Sequence, residues 1–259
     1  MKAAPVFEAG THRWWVLYDQ DERRVIDSNV YIVESHGQSA VLDPGGFEIF
    51  PHVLAAVTEV VPPTSIVKAF ASHQDPDIAS SLPLWNACND KMQWHIPSLW
   101  EGFIRHYGAL EAELIGIPDE GGVMVVGSHK LELIPAHYLH ASANFHVYDA
   151  DARVLFSGDV GTALLPAGHS IWVGGSQGAD SAKGFDEHIQ HAKYFHQRWM
   201  PSNAAKKDWI DRVHQLDIDY LCPQHGAIYA GENVRRFLDW FDRLTVGTVI
   251  SQQVGAFHD

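Results

Sequence analysis

ASHQDPDIASSL, residues 71–82, puts His73, Asp75 and Asp77 at alternate positions directly after the apolar run SIVKAFAS, 65–72. The run reads as a buried strand that delivers the chain into the histidine. In an extended segment alternate side chains point the same way, and in a loop leaving a strand they can converge on a small volume. An imidazole beside two carboxylates is a metal-binding set. Taken alone the stretch also reads as a polar turn, because Asp-Pro opens turns. The rest of the chain decides between the two.

Three later segments repeat the same placement. LHASANFHVYD (139–149) sets His140 between two apolar runs, VLFSGDVG (154–161) sets Asp159 after a strand and between glycines, and LCPQHGAI (221–228) ends an apolar run in His225 and a glycine. Glycine lets backbone and ligand approach closely, and strand ends emptying into loops are the usual address of a site on an α/β scaffold. SAVLDPGG (39–46) likewise ends a strand at Asp43 in a tight turn.

Around these points the pattern alternates between strands and helices. HRWWVLYD (12–19), SNVYIVES (28–35), KLELIPA (130–136), NFHVYDA (144–150), RVLFSGD (153–159) and DYLCPQHGAIY (219–229) have strand character. Helical spacing runs through FEIFPHVLAAVTEVV (47–61), IASSLPLWNAC (78–88), SLWEGFIRHYG (98–108), GFDEHIQHAKYFHQRWM (184–200), AAKKDWIDRVHQL (204–216) and GENVRRFLDWFDRL (231–244). PDEGGVMVVG (118–127) reads as a glycine-rich connection. Strands then helices, twice over, predict an α/β fold of two sheets packed together with helices outside, in one domain over 1–259.

Composition narrows the partners. Thirty-two acidic residues against 18 basic ones give a formal charge of −14, a surface that repels nucleic acid and anionic membrane. No run approaches the roughly 18 apolar residues of a membrane span, and the N-terminus lacks a signal-peptide pattern. Two cysteines, Cys88 and Cys222, form no CxxC and no disulfide framework, which fits a reducing cytoplasm. Cys222 reads as a small core residue. Most of the 17 histidines read as surface.

In order, Asp43, HQDPDI (73–78), His140, Asp159 and His225 resemble the metallo-β-lactamase superfamily, whose signature is a strand-end Asp, an HxHxDH loop, a His, an Asp and a final His. The resemblance implies an αββα sandwich of two mixed sheets with the metal site at one edge. Two departures are informative: Asp75 stands where zinc hydrolases have a second histidine, and Ile78 where they have a third. An acidic residue at the first position is similar to the flavodiiron branch. HQDPD together with YFHQRWMPSN (194–203) is similar to the stand-alone oxygen-binding di-iron proteins of that branch.

Carried over position by position, the resemblance implies that His73, Asp75 and His140 bind one metal, that Asp77 and His225 bind the other, and that Asp159 bridges them. Asp43 would support the ligand loop without touching metal. Three imidazoles and three carboxylates without thiolate suit non-haem iron, with zinc or manganese as alternatives. Ile78 leaves the second metal a position open to a diatomic ligand. Ile78, Tyr194 and His196 are expected to line the approach, with His188 or His191 as further candidates on the same helix. One of His137 and His146 is expected to back the site, and Trp172 with Gly174 and Gly175 to form a loop over it.

The function this implies is a di-iron protein that binds, senses or reduces dioxygen or nitric oxide, working with a separate electron-transfer or signalling partner. No flavin loop, flavodoxin domain or rubredoxin CxxC is expected in the chain, and a homodimer is. A two-metal hydrolase of phosphodiesters or thioesters is the alternative. A binding module whose metals only stabilise the fold is the third, with VRRFLDWFDRL (234–244) as a core-packed or docking helix.

Overall fold

The computed structural model describes residues 1–19, 27–108, 110–174 and 182–248, without the side chains of residues 182 and 183. Its first half is a mixed sheet of seven strands in sequential order: β1 (Lys2–Ala9), β2 (His12–Tyr18), β3 (Val30–Ser35), β4 (Gln38–Leu42), β5 (Ile66–Phe70), β6 (Gln93–Pro97) and β7 (Glu113–Ile117). β1 to β4 run antiparallel, and β4 to β7 run parallel. The second half is a mixed six-stranded sheet of β8 (Gly122–Val126), β9 (His129–Pro135), β10 (Phe145–Asp149), β11 (Val154–Phe156), β12 (Tyr220–Cys222) and β13 (Tyr229–Ala230). Only β11 and β12 are parallel there.

Strand alternation sorts the apolar side chains into three cores. Trp14, Val16, Tyr31, Val33, Leu42 and Phe70 of the first sheet meet Met124, Leu131, Phe145, Val147 and Phe156 of the second between the sheets. The opposite face of the first sheet (Val30, Ile32, Val41, Ala69) packs on α1 (Phe50–Val60), α2 (Pro76–Ala79), α3 (Leu82–Cys88) and α4 (Glu101–Ile104). The opposite face of the second sheet packs on α5 (Ala182–Trp199), α6 (Asn203–Val213) and α7 (Glu232–Arg243). Both sheets are therefore buried on two faces, which is why their central strands read as nearly continuous apolar runs. The layering is αββα, as the pattern of elements implies. Among the described residues no helix is long and apolar enough to cross a membrane.

Five strands lie outside the sequence reading. β1 carries Pro5 and a bulge between Pro5 and Phe7, which an edge strand accommodates. β8 begins on the second of two glycines, and its alternation (Met124 and Val126 buried, Val123 and Val125 exposed) sits inside the stretch read as a connection. β6, β7 and the two-residue β13 are short. The helix expected over 98–108 is broken into 3-10 turns on either side of the single turn of α4, and Gly108 ends it at φ +104°. Helix α7 is core-packed, with Phe237 and Phe241 fully buried.

Candidate metal centre

Asp43 follows β4, His73 follows β5, His140 lies between β9 and β10, Asp159 follows β11 and His225 follows β12. All five loops open at one end of the sandwich. There the two sheets are stitched by Phe145 N–H to Ser72 O (3.1 Å) and Asn29 N–H to Gln224 O (2.6 Å). The chain bends at Ser72 and His73, and α2 begins at Pro76 with Asp75 as its N-cap and Asp77 in its first turn. The three ligand candidates thus converge by a loop and a helical turn instead of by strand alternation.

The six expected residues meet in one place. Asp159 divides its two oxygens: Oδ2 lies 3.3 Å from His73 Nε2 and 2.8 Å from His140 Nε2, while Oδ1 lies 3.6 Å from His225 Nε2. Asp75 Oδ2 faces the first pair, at 3.6 Å from His73 Nε2 and 3.5 Å from His140 Nε2. Asp77 Oδ2 faces the other histidine, at 3.3 Å from His225 Nε2. His73, Asp75 and His140 form a set with metal-binding spacing. The donors fall into two groups, one on each side of Asp159.

The histidines are oriented from behind. Ser72 donates Oγ–H to Asp43 Oδ2 (2.6 Å) and its backbone N–H to Asp43 Oδ1 (2.7 Å), so its Oγ accepts from His73 Nδ1 (2.9 Å). That fixes the tautomer and leaves His73 Nε2, fully buried, aimed at the Asp159 and Asp75 carboxylates at 3.3 and 3.6 Å. His225 donates Nδ1–H to Asp27 O (2.8 Å), which turns its Nε2 inward in the same way. A buried imidazole nitrogen set against two carboxylates, with its other nitrogen already bonded, fits a bound cation. Asp43 holds the loop before His73 through Ser72 and meets none of the inward-facing nitrogens.

Electrostatics points the same way. Burial opposes the charged forms throughout, but attraction wins. His73 is raised to about 10 by hydrogen bonds to Asp159 and Asp75, His225 is raised to about 9 by Asp77, and Asp159 is held well below the usual carboxylate range by His140 and His73. Protons on the imidazoles neutralise carboxylates that cations would otherwise neutralise. Asp43 is pushed up to about 7 by burial.

The expected approach is corrected in part. Ile78 is fully buried in the core under the first sheet. His196 is also fully buried: it donates Nδ1–H to Ala192 O (2.7 Å) and accepts Gly161 N–H at Nε2 (3.0 Å). It braces the Asp159 loop and does not line an opening. Gly161 sits at φ +97°, and a Cβ there would meet Leu221 and Tyr229 at 2.9 and 3.2 Å, so the loop requires glycine. Tyr194 is exposed; the α5 residues that meet His140 are Phe195 and Trp199, stacked on each other with ring centroids 5.6 Å apart. Their i, i+4 spacing on an amphipathic helix was legible in the sequence.

His188 is buried against Tyr229 Oη (3.0 Å), which donates to Gly161 O. His146, on the helix-facing side of β10, accepts from Trp209 Nε1–H (2.9 Å) and lies beside Gly158, whereas His137 meets Asp119 O near the surface. His146 is thus the one of that pair behind the site. Trp172 packs on Tyr220, Gly174 takes φ +88°, and Gly175 lies outside the described residues. Cys222 is fully buried between the sheets.

Comparison with known proteins agrees with this geometry. The family model described as "ODP family beta lactamase" matches residues 26–226. A peroxy di-iron species of the chemotaxis sensor ODP superposes with a TM-score of 0.83 at 30% identity, covering 98% of this chain and 100% of that one. The apo state of chemotaxis sensor ODP from T. denticola gives 0.82 at 30%, covering 98% of each. The flavodiiron protein of Giardia intestinalis shares the fold, with a TM-score of 0.79 at 16% identity over 93% of this chain and 59% of its own. An uncharacterised protein of Methanocaldococcus jannaschii is 25% identical over 82% of this chain, which spans about half (52%) of that relative's length. On the extent of the family match and the 30% identity over nearly its whole length, this chain belongs to the ODP beta lactamase family.

Proposed function

We propose that this protein binds two iron ions at the end of its sandwich and takes up dioxygen there as an oxygen sensor. The observation that carries the reading is the divided Asp159 carboxylate, with one oxygen turned to His73 and His140 and the other to His225. His73, Asp75 and His140 would hold one ion, Asp77 and His225 the other, and Asp159 both. Such a mixed His/carboxylate set would hold ferrous iron with positions left open, and the iron would supply the dioxygen binding. The 30% identity to the chemotaxis sensor ODP, whose peroxy di-iron species is known, supports iron and oxygen over zinc and hydrolysis.

The chain's own residues set the conditions. Ser72 and Asp43 keep His73 in the tautomer that presents Nε2, and Asp27 does so for His225. Ile78 points into the core, so the second position has three protein donors against four at the first. Phe195 and Trp199 wall the His140 side and shield it from water. We read residues 1–259 as one domain, supported by the core shared between the two sheets.

Metal analysis of anaerobically purified protein, with absorption spectra before and after air, tests the reading. The expected result is two irons per chain and a new near-ultraviolet or visible band on oxygenation, both abolished in Asp159→Ala. Two zincs and no response to oxygen would overturn it.

A further inference from the structure

Two glutamines stand beside the site in matching positions. Gln74 follows His73 and Gln224 precedes His225. Gln74 donates Nε2–H to Asp75 Oδ1 (3.0 Å), the oxygen turned away from the histidines, so that Oδ2 is the one presented to them. Gln224 donates Nε2–H to Asp77 Oδ2 (3.3 Å), the oxygen that faces His225. A carboxylate accepts only, so the amide nitrogens must face it and the orientation of both amides is settled by chemistry.

Both backbones are pinned. Tyr107 donates Oη–H to Gln74 O (2.8 Å); Gln224 donates N–H to Gly158 O (2.7 Å) and its carbonyl accepts from Asn29 N–H (2.6 Å). Yet among the described residues the Oε1 of each glutamine is buried without a hydrogen-bond partner. A buried amide that satisfies one end and strands the other is a poor way to stabilise a fold, since the stranded acceptor keeps its full desolvation penalty and offsets what the donor gains. What each amide does is fix one aspartate.

We propose that Gln74 and Gln224 are positioning residues, one for each metal position, Gln74 by orienting Asp75 and Gln224 by orienting Asp77. The inference rests on the two-ion reading above. Each is selective for its own ion because the two aspartates face different histidines.

The test uses Gln74→Met and Gln224→Met, which keep the side-chain length and remove the donor. Crystals of the full chain are equilibrated anaerobically with ferrous iron near the wild-type dissociation constants, and anomalous scattering at the iron edge gives the occupancy of each position. Losing such an outer partner weakens a metal about 10–100-fold. Gln224→Met is expected to deplete the Asp77/His225 position alone, and Gln74→Met the His73/Asp75/His140 position alone. The metal-free variants are expected to unfold at the wild-type urea midpoint or above it. Equal depletion of both positions, depletion of the opposite position, unchanged occupancies, or a lowered metal-free midpoint would each overturn the proposal. Wild-type crystals that show only one iron position at saturating ferrous iron would overturn the two-ion reading instead.

Discussion

Replacing Ser72 by alanine removes one oxygen that serves two buried groups. Ser72 Oγ donates to Asp43 Oδ2 at 2.6 Å and accepts from His73 Nδ1 at 2.9 Å, and all three residues are fully buried. Ser72→Ala strands the His73 N–H and one Asp43 oxygen, while the backbone bond from Ser72 N to Asp43 Oδ1 survives. A hydrogen bond to a charged group is worth about 1.5–3 kcal/mol and a neutral one about 1, so the metal-free chain should lose roughly 2–4 kcal/mol. For a chain of this size each kcal/mol lowers Tm by about 2–4 °C. The measurement is urea unfolding of metal-free protein at pH 8, above the value of about 7 to which burial raises Asp43. With Asp43→Asn and the double variant it forms a cycle, where groups in contact couple by about 0.5–3 kcal/mol. The same substitution should weaken iron about 10–100-fold at the His73 position. A loss below about 0.5 kcal/mol, the usual range of surface substitutions, with unchanged iron binding would refute the relay from Asp43 through Ser72 to His73.

Other outcomes follow from the same geometry. Gly226→Ala places a Cβ 2.7 Å from Ala163 O at φ +86°, so it should cost on the order of 1–3 kcal/mol and weaken the His225 metal, seen in unfolding and iron titration. Burial keeps His188 and His196 neutral, at about 3 and about 4. Their folded values lie below the unfolded one near 6.5, so their contribution to stability should be level above that pH and fall as pH drops from about 6.5 towards 4. Urea midpoints at pH 7 and pH 5 check this, and equal midpoints would contradict it. Metal must displace protons from His73 and His225, raised to about 10 and about 9. Calorimetry in buffers of different ionisation enthalpy should therefore show proton release at pH 7 and tighter binding as pH rises. In the metal-free chain the same two groups add stability that is complete below about 6.5 and lost as pH rises through 9–10.

The ligand candidates were legible because each sits where an apolar run stops, and a buried strand ending in His or Asp leaves few other readings. The layers were legible too, since strands covered on both faces show as unbroken apolar runs. β8 was not, because its two leading glycines mask an alternation of only five residues. His196 was misplaced for a different reason: helical spacing tells which residues share a face, not how far that face sinks. Its ring is caged by Phe237, Trp240 and Phe241 from a helix some forty residues on. The strut on Asp77 was invisible because Gln224 reaches it across 147 positions.

Chain order gives the layering a last consequence. His73, Asp75 and Asp77 come from the half of the chain that builds the first sheet, and His140, Asp159 and His225 from the half that builds the second. An ion held between them binds the assembled sandwich and not the unfolded chain, which stabilises it by about 2.7 kcal/mol at a hundredfold excess over its dissociation constant. Loaded and stripped molecules would then differ in how often they open to a protease. Iron supply would govern the lifetime of this protein as well as its response to oxygen.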